Sequence, residues 1–233
     1  MRLGNVKQFL GVDLETTGVD VDNDRIVTIS MVLRDLNTPD EEDQVNMTTF
    51  NPGVPIPPGA TAINGITDDM VKDGDKPSDE LPFFHGMITS AWEAGIPIVG
   101  SNLPYDLSLF AAELERHNNT RFKVAGPLLD TMVLHRMVTG QRKANLAVMS
   151  EYYKIKNVKA HDSTSDVITT LDILQEMISR SAYLRETDLR DLYVAQRQAH
   201  RHWAANMQQF FDRIGKADQV NADWPINRKW ENG

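Results

Sequence analysis

Two stretches near the start of the chain consist almost wholly of apolar and β-branched side chains. Phe9–Glu15 (FLGVDLE) and Ile26–Leu33 (IVTISMVL) therefore read as strands, separated by the turn-forming TTGVDVDND. A third strand is expected near Met47–Phe50. NPGVPIPPG carries four prolines and reads as an irregular surface crossing, because proline fits neither a helix interior nor a central strand. The period then changes. Asp79–Ala94 reads as a helix ended by Gly95 and Pro97, and Ile96–Gly100 as a short buried strand. Asp106–His117 is amphipathic, with Leu109, Phe110 and Leu114 on its apolar side. Leu128–Asp130 is a further strand, followed by helices over Thr131–Val138, Asn145–Tyr152 and Ser165–Arg180. From Ser181 to Gly215 the chain is helical, with Leu184, Leu189, Leu192, Ala195 and Ala199 at helical spacing, and it ends in the irregular NADWPINRKWENG. Strands leading and helices alternating behind them indicate an α/β layer fold. The expected division is one domain over residues 1–180 and a C-terminal helical extension over 181–233. That extension reads as a brace on the core, with a polymerase-binding or dimer-forming surface as the alternative.

Composition narrows the chemistry. A chain of 233 residues is ample for a hydrophobic core. The absence of cysteine excludes a disulfide scaffold, a Cys-ligated zinc or iron–sulfur site and a thiol nucleophile. No apolar run approaches the ~18 residues of a membrane span, and the first residues lack the layout of a secretory signal, so a soluble cytoplasmic protein without a membrane partner is expected. The formal charge of −9 argues against a basic protein that coats nucleic acid. Its distribution says more, because Arg116–Lys159 holds nine basic residues against only Asp130 and Glu151, a net +7. That stretch is either a solvated face balancing the acidic N-terminal half or an anion-binding surface beside a carboxylate-rich site.

Three groups of acids suggest such a site. Asp13 and Glu15 lie two apart on a strand and so project from one face, while Val12 and Leu14 face the other way. They are either a strand end running into polar loop, or a pair held together by a hard cation such as Mg²⁺ or Mn²⁺. Asp106, in SNLPYDLSLF, is either a helix-start carboxylate favoured by the macrodipole or a third member of the group. The last element is HDSTSD, from His161 to Asp166. Five residues on one helix stand about 140° apart, so convergence requires His161 on the loop and Asp166 in the first turn. Ser163 with Asp166 also has the form of a capping box.

DLETTG, then NxxYD about ninety residues on, then HxxxxD about fifty-five later, resembles the DEDDh (DnaQ-like) 3′→5′ exonucleases, and AINGIT (Ala62–Thr67) fits the same likeness. The resemblance covers roughly residues 8–180 and implies an RNase H-like mixed sheet flanked by helices. It implies two divalent ions, Mg²⁺ or Mn²⁺, with Asp13, Glu15 and Asp166 on one, Asp13 bridging to the second and Asp106 supporting that one. His161 would be the general base for the attacking water. The backbone of Thr16, Thr17 and Gly18 would hold the terminal nucleotide, with Leu14, Asn64 and Ile66 near its base, and Asn102 and Tyr105 match the second motif. Asn64 replaces a common His, and Ser163 and Val167 replace common Ala residues; none of these changes removes a ligand. Arg142 and Lys143, with Lys154, Lys156 and Lys159, would take up backbone phosphates; Tyr152 and Tyr153 would stack on a base, with core packing the expected fate of at least one of them. The remaining histidines, His85, His117, His135, His200 and His202, read as surface or packing residues.

The expected partner is the 3′ end of single-stranded DNA, in proofreading, repair or phage DNA metabolism. The alternatives are RNA 3′-end trimming or a non-catalytic module that binds nucleic acid or a polymerase. The NADWPI ending resembles the tails of stand-alone actinobacterial and actinophage relatives.

Overall fold

The strand carrying the first motif, β1 (Gln8–Thr16), lies in the middle of the sheet. On one side it pairs antiparallel with β2 (Ile26–Asp35), which pairs antiparallel with β3 (Gln44–Thr49). On the other side it runs parallel to β4 (Ile98–Gly100) and, beyond that, β5 (Leu128–Asp130), giving the order β3-β2-β1-β4-β5. Parallel neighbours need crossover connections. These are α1 (Pro58–Asn64), α2 (Asp68–Val71) and α3 (Pro77–Glu93) before β4, and α4 (Leu103–Asn118) before β5. Then follow α5 (Thr131–Thr139), α6 (Leu146–Tyr153), α7 (Ser163–Arg180), α8 (Ala182–Glu186) and α9 (Leu189–Arg213). This computed structural model describes residues 1–156 and 162–226. Among them no helix is long and apolar enough to cross a membrane.

The expected strands and helices recur with ends shifted by a few residues. A helix over Pro58–Asn64 was not expected in the proline-rich crossing; Pro58 is tolerated because it occupies the first turn. The α2 turn and a 3-10 turn at Leu3–Asn5 were not foreseen either. Pro82 lies inside α3 and leaves the Ser78 carbonyl without its helical donor. Asn118, at the end of α4, supplies one from its side-chain amide at 2.8 Å. The cap of α7 is Asp162, whose carboxylate accepts the Ser165 N–H at 2.9 Å, so Ser163 does not form the expected capping box.

The alternation of β1 divides the core. Leu10, Val12 and Leu14 join Leu81, Phe84, Ile88, Leu107 and Phe110 of α3 and α4 in one apolar layer. On the opposite face Gly11, Asp13 and Glu15 meet α7. A Cβ on Gly11 would lie 2.4 Å from Val167 Cγ1 and 3.2 Å from Leu171, so the missing side chain lets α7 lie close against the strand. Asp166, beside Val167, is thereby carried to the two carboxylates of β1. Gly11→Ala is expected to lift α7 and cost about 1–3 kcal/mol of stability by overpacking. Urea melts check this, and unchanged stability would show that the contact is not tight.

The C-terminal helix closes the sheet. β5 is an edge strand, and edges expose unpaired backbone groups. Gln196 of α9 accepts the Asp130 N–H at 2.8 Å and donates to the Leu128 carbonyl at 2.9 Å, so one side chain occupies the place of a neighbouring strand. Trp224, from the NADWPI segment, is buried against Tyr193, and its indole N–H reaches Asp130 Oδ2 at 3.4 Å.

Candidate metal and nucleotide site

β1 loses its register with β2 between Glu15 and Thr16, as strands often do beside functional sites. Just before that irregularity, Asp13 and Glu15 of β1 and Asp166 of α7 bring carboxylate oxygens within 4.8 Å of one another. Asp106, in the first turn of α4, is buried and accepts the Leu14 N–H, fixing it beside Asp13. The four sequence-assigned acids therefore converge from two helices and one strand. His161 lies outside the described residues.

This assembly is electrostatically unfavourable on its own. Burial, followed by the charges of Asp106, Glu15 and Asp166, pushes Asp13 well above the usual carboxylate range. Burial, then Asp166 and Asp162, pushes Glu15 up to about 7. Asp106 is also raised, by burial first, against the opposing pull of backbone N–H groups. A cluster of acid oxygens that cannot comfortably ionise suits a hard divalent cation, which supplies the missing positive charge. Asp162, whose charge reaches Glu15, was missed as a member of the acidic group although it directly follows His161 in the third motif.

The sign of the pH dependence follows. These acids have folded values above their unfolded ones, so the cation-free protein is favoured at low pH and loses that stabilisation as pH rises through about 7 for Glu15. Cation binding requires the ionised forms and moves the opposite way. The dissociation constant for Mn²⁺ is expected to fall on the order of tenfold per unit between roughly pH 5 and 7. Calorimetric titration reads this, and a flat profile would contradict it.

A pocket of about 310 Å³ opens beside Glu15, lined by Leu14, Thr16, Gly18, Asn64, Asn102 and Tyr105 among others. Its rim is tied together. The Tyr105 hydroxyl donates to the Gly18 carbonyl at 2.5 Å and lies 2.6 Å from Thr16 Oγ1, while Asn64 donates to the Thr16 carbonyl at 3.2 Å. Burial pushes the Tyr105 hydroxyl up to about 12, so it stays protonated. Thr17 points elsewhere: its hydroxyl donates to Asp24 at 2.9 Å and accepts the Arg25 N–H at 2.9 Å, closing the turn after β1. A Cβ on Gly18 would lie 2.4 Å from the Asp24 carboxylate, so a side chain there would have to push that carboxylate aside. Ile66 lines a second pocket of about 280 Å³ that shares Glu15 and Asn64 and runs along Asp162, Ser163 and Thr164. Arg142 and Lys143 are exposed and line neither pocket. Tyr153 is buried and Tyr152 exposed.

The two departures in the third motif have local explanations. Ser30 of β2 lies 2.8 Å from both the Ser163 and Thr164 hydroxyls, and Thr28 reaches Ser163 at 3.3 Å, pinning the start of α7 to the sheet. Val167 is the residue received by Gly11. His135 and His200 are buried, the first on the Tyr153 hydroxyl at 3.0 Å and the second on the Asn221 carbonyl at 3.3 Å.

Residues 10–174 match the family described as Exonuclease (RNase_T). The chain is 27% identical over 175 residues to a DNA polymerase III PolC-type protein of Caldanaerobacter subterraneus subsp. tengcongensis, covering 74% of this chain and 12% of that one. It is 26% identical over 189 residues to a 3′-5′ exonuclease DinG of Staphylococcus saprophyticus, covering 78% and 19%. The chain thus spans a fifth or less of the length of these curated relatives. E. coli Exonuclease I in complex with a dA16 oligonucleotide shares the fold at a TM-score of 0.65 and 18% identity, over 77% of this chain and 42% of that one.

Proposed function

The chain belongs to the exonuclease family, and from that premise we propose that it removes 5′-mononucleotides from the 3′ end of single-stranded DNA in the cytoplasm. The observation that carries this reading is the convergence of Asp13, Glu15 and Asp166 beside a pocket for one nucleotide. Asp13, Glu15 and Asp166 would hold one divalent ion, with Asp13 and Asp106 supporting a second, either Mg²⁺ or Mn²⁺. Bound there, such ions supply charge stabilisation to the attacking and leaving oxygens of an in-line displacement at phosphorus.

The protein's own groups do the rest. Leu14 and Asn64, with Ile66 in the adjoining pocket, receive the terminal base, and the backbone from Thr16 to Gly18 receives the terminal sugar. Tyr105 and Asn102 hold the opposite wall. His161 takes the proton from the attacking water, and the departing 3′-oxygen of the shortened strand is protonated by solvent. Arg142 and Lys143 bind upstream phosphates without reading sequence. Residues 1–180 form the exonuclease unit, and the extension from 181 to 233 braces it through Gln196 and Trp224. The replication proteins among the relatives favour DNA as the polymer.

The test offers 3′-labelled single-stranded DNA and RNA with Mg²⁺ or Mn²⁺. Preferential release of labelled 5′-mononucleotide from DNA is expected. Preference for RNA would overturn the substrate, and no cleavage of either polymer would overturn the reading.

A further inference from the structure

The C-terminal helix also shapes a groove of about 440 Å³ away from the carboxylates. It lies between α5, the loop that follows it and α9, and its wall includes Arg136, Gln141, Arg142, His202, Trp203 and Asn206. No acid lines it. The Arg136 guanidinium stacks 4.5 Å over the Trp203 ring. Its Nε donates to the Arg142 carbonyl at 3.4 Å, and no carboxylate among the described residues forms an ion pair with Arg136 or Arg142. Burial lowers the Arg136 guanidinium from its ordinary value, and the charge of Asp130 offsets this in part. A half-buried, unpaired guanidinium on an indole, flanked by side-chain amides, is suited to a phosphate and a neighbouring base.

The groove is also close to the reaction. Asp130 caps α5 and accepts the Asn102 N–H at 3.2 Å, and Asn102 lines the nucleotide pocket. Arg136 stands six residues along that helix, about 9 Å further on. The +7 stretch and the helical extension meet here. We propose that this groove is a second nucleic-acid subsite, which holds the upstream part of the single strand whose 3′ end occupies the carboxylate site.

The proposal rests on the exonuclease reading for the position of the 3′ end, so the test has two arms. With the 233-residue chain in EDTA, anisotropy of a 5′-labelled single strand of roughly 20 nucleotides is compared for wild type, Arg136→Gln, Trp203→Ala and Asn206→Asp. Each variant should weaken binding about 5–20-fold, and melting curves confirm that each is folded. Asn206→Asp keeps the size of an exposed side chain, so it serves if Trp203→Ala fails to fold. In the cleavage arm, KM for the long strand should rise by a similar factor while cleavage of a dinucleotide stays within twofold of wild type. Unchanged affinity in every folded variant would overturn the subsite. An equal loss on the dinucleotide would assign these residues to the reaction centre instead. Intact binding effects with no cleavage of any polymer would overturn the exonuclease reading and leave the subsite standing. Equal competition by free mononucleotide would overturn the strand as occupant.

Discussion

Asp13→Asn is expected to reduce cleavage by on the order of 10³-fold or more, and at the same time to stabilise the cation-free protein. Both effects have one origin. Asp13 is the acid on which burial and the charges of Asp106, Glu15 and Asp166 all act. Replacing its carboxylate with a neutral amide of the same shape removes that repulsion together with the oxygen that, on the proposed mechanism, would be shared between two ions. In EDTA the variant should melt higher by about 2–6 °C, since each 1 kcal/mol is worth about 2–4 °C at this size. Excess Mn²⁺ should raise the wild-type melting point more than that of the variant, because only the wild type has the full donor set. Melting curves with and without cation, beside a rate measurement, check both halves. A variant that loses activity and is also less stable without cation would show that Asp13 is a structural residue and not a strained ligand.

His161→Ala should slow the chemical step by about 10²–10⁴-fold, the range for loss of a positioned general base. Cation affinity should be nearly unchanged, because the acids that would bind the ion belong to β1, α4 and α7 and not to the imidazole. KM should hold as well. Single-turnover kinetics and cation titration separate these quantities. A large loss of cation affinity would reassign His161 as a ligand, and a rate within threefold of wild type would remove it from the mechanism.

The acidic centre was legible because each contribution obeys a local rule. The two-residue period of a strand sets Asp13 and Glu15 on one face, and a buried strand followed by a helix delivers Asp106. The placement of Asp166 in the first turn of α7 was legible on the same basis. What could not be read depends on partners far apart in the chain. Nothing near Gln196 announces that its amide will complete the edge of β5, nor does anything near Asn118 show that it will satisfy the carbonyl stranded by Pro82. Ser163 was legible only as a departure from a pattern, since the Ser30 hydroxyl that accounts for it lies on another strand. The capping expectation failed for a smaller reason. Asp162 and Ser163 are both good caps, and the competing bond from Ser30 leaves the role to Asp162. Arg142 was assigned to phosphate from sequence, but only the packing of α9 shows which groove it borders.

The most direct test follows a 5′-labelled single-stranded oligonucleotide through digestion, with the released nucleotide identified, in Mg²⁺ and in EDTA. The expected result is a ladder that shortens from the 3′ end, 5′-monophosphates as the only product, and no shortening once the cation is chelated. Equal digestion in EDTA, or release of 3′-monophosphates, would contradict it.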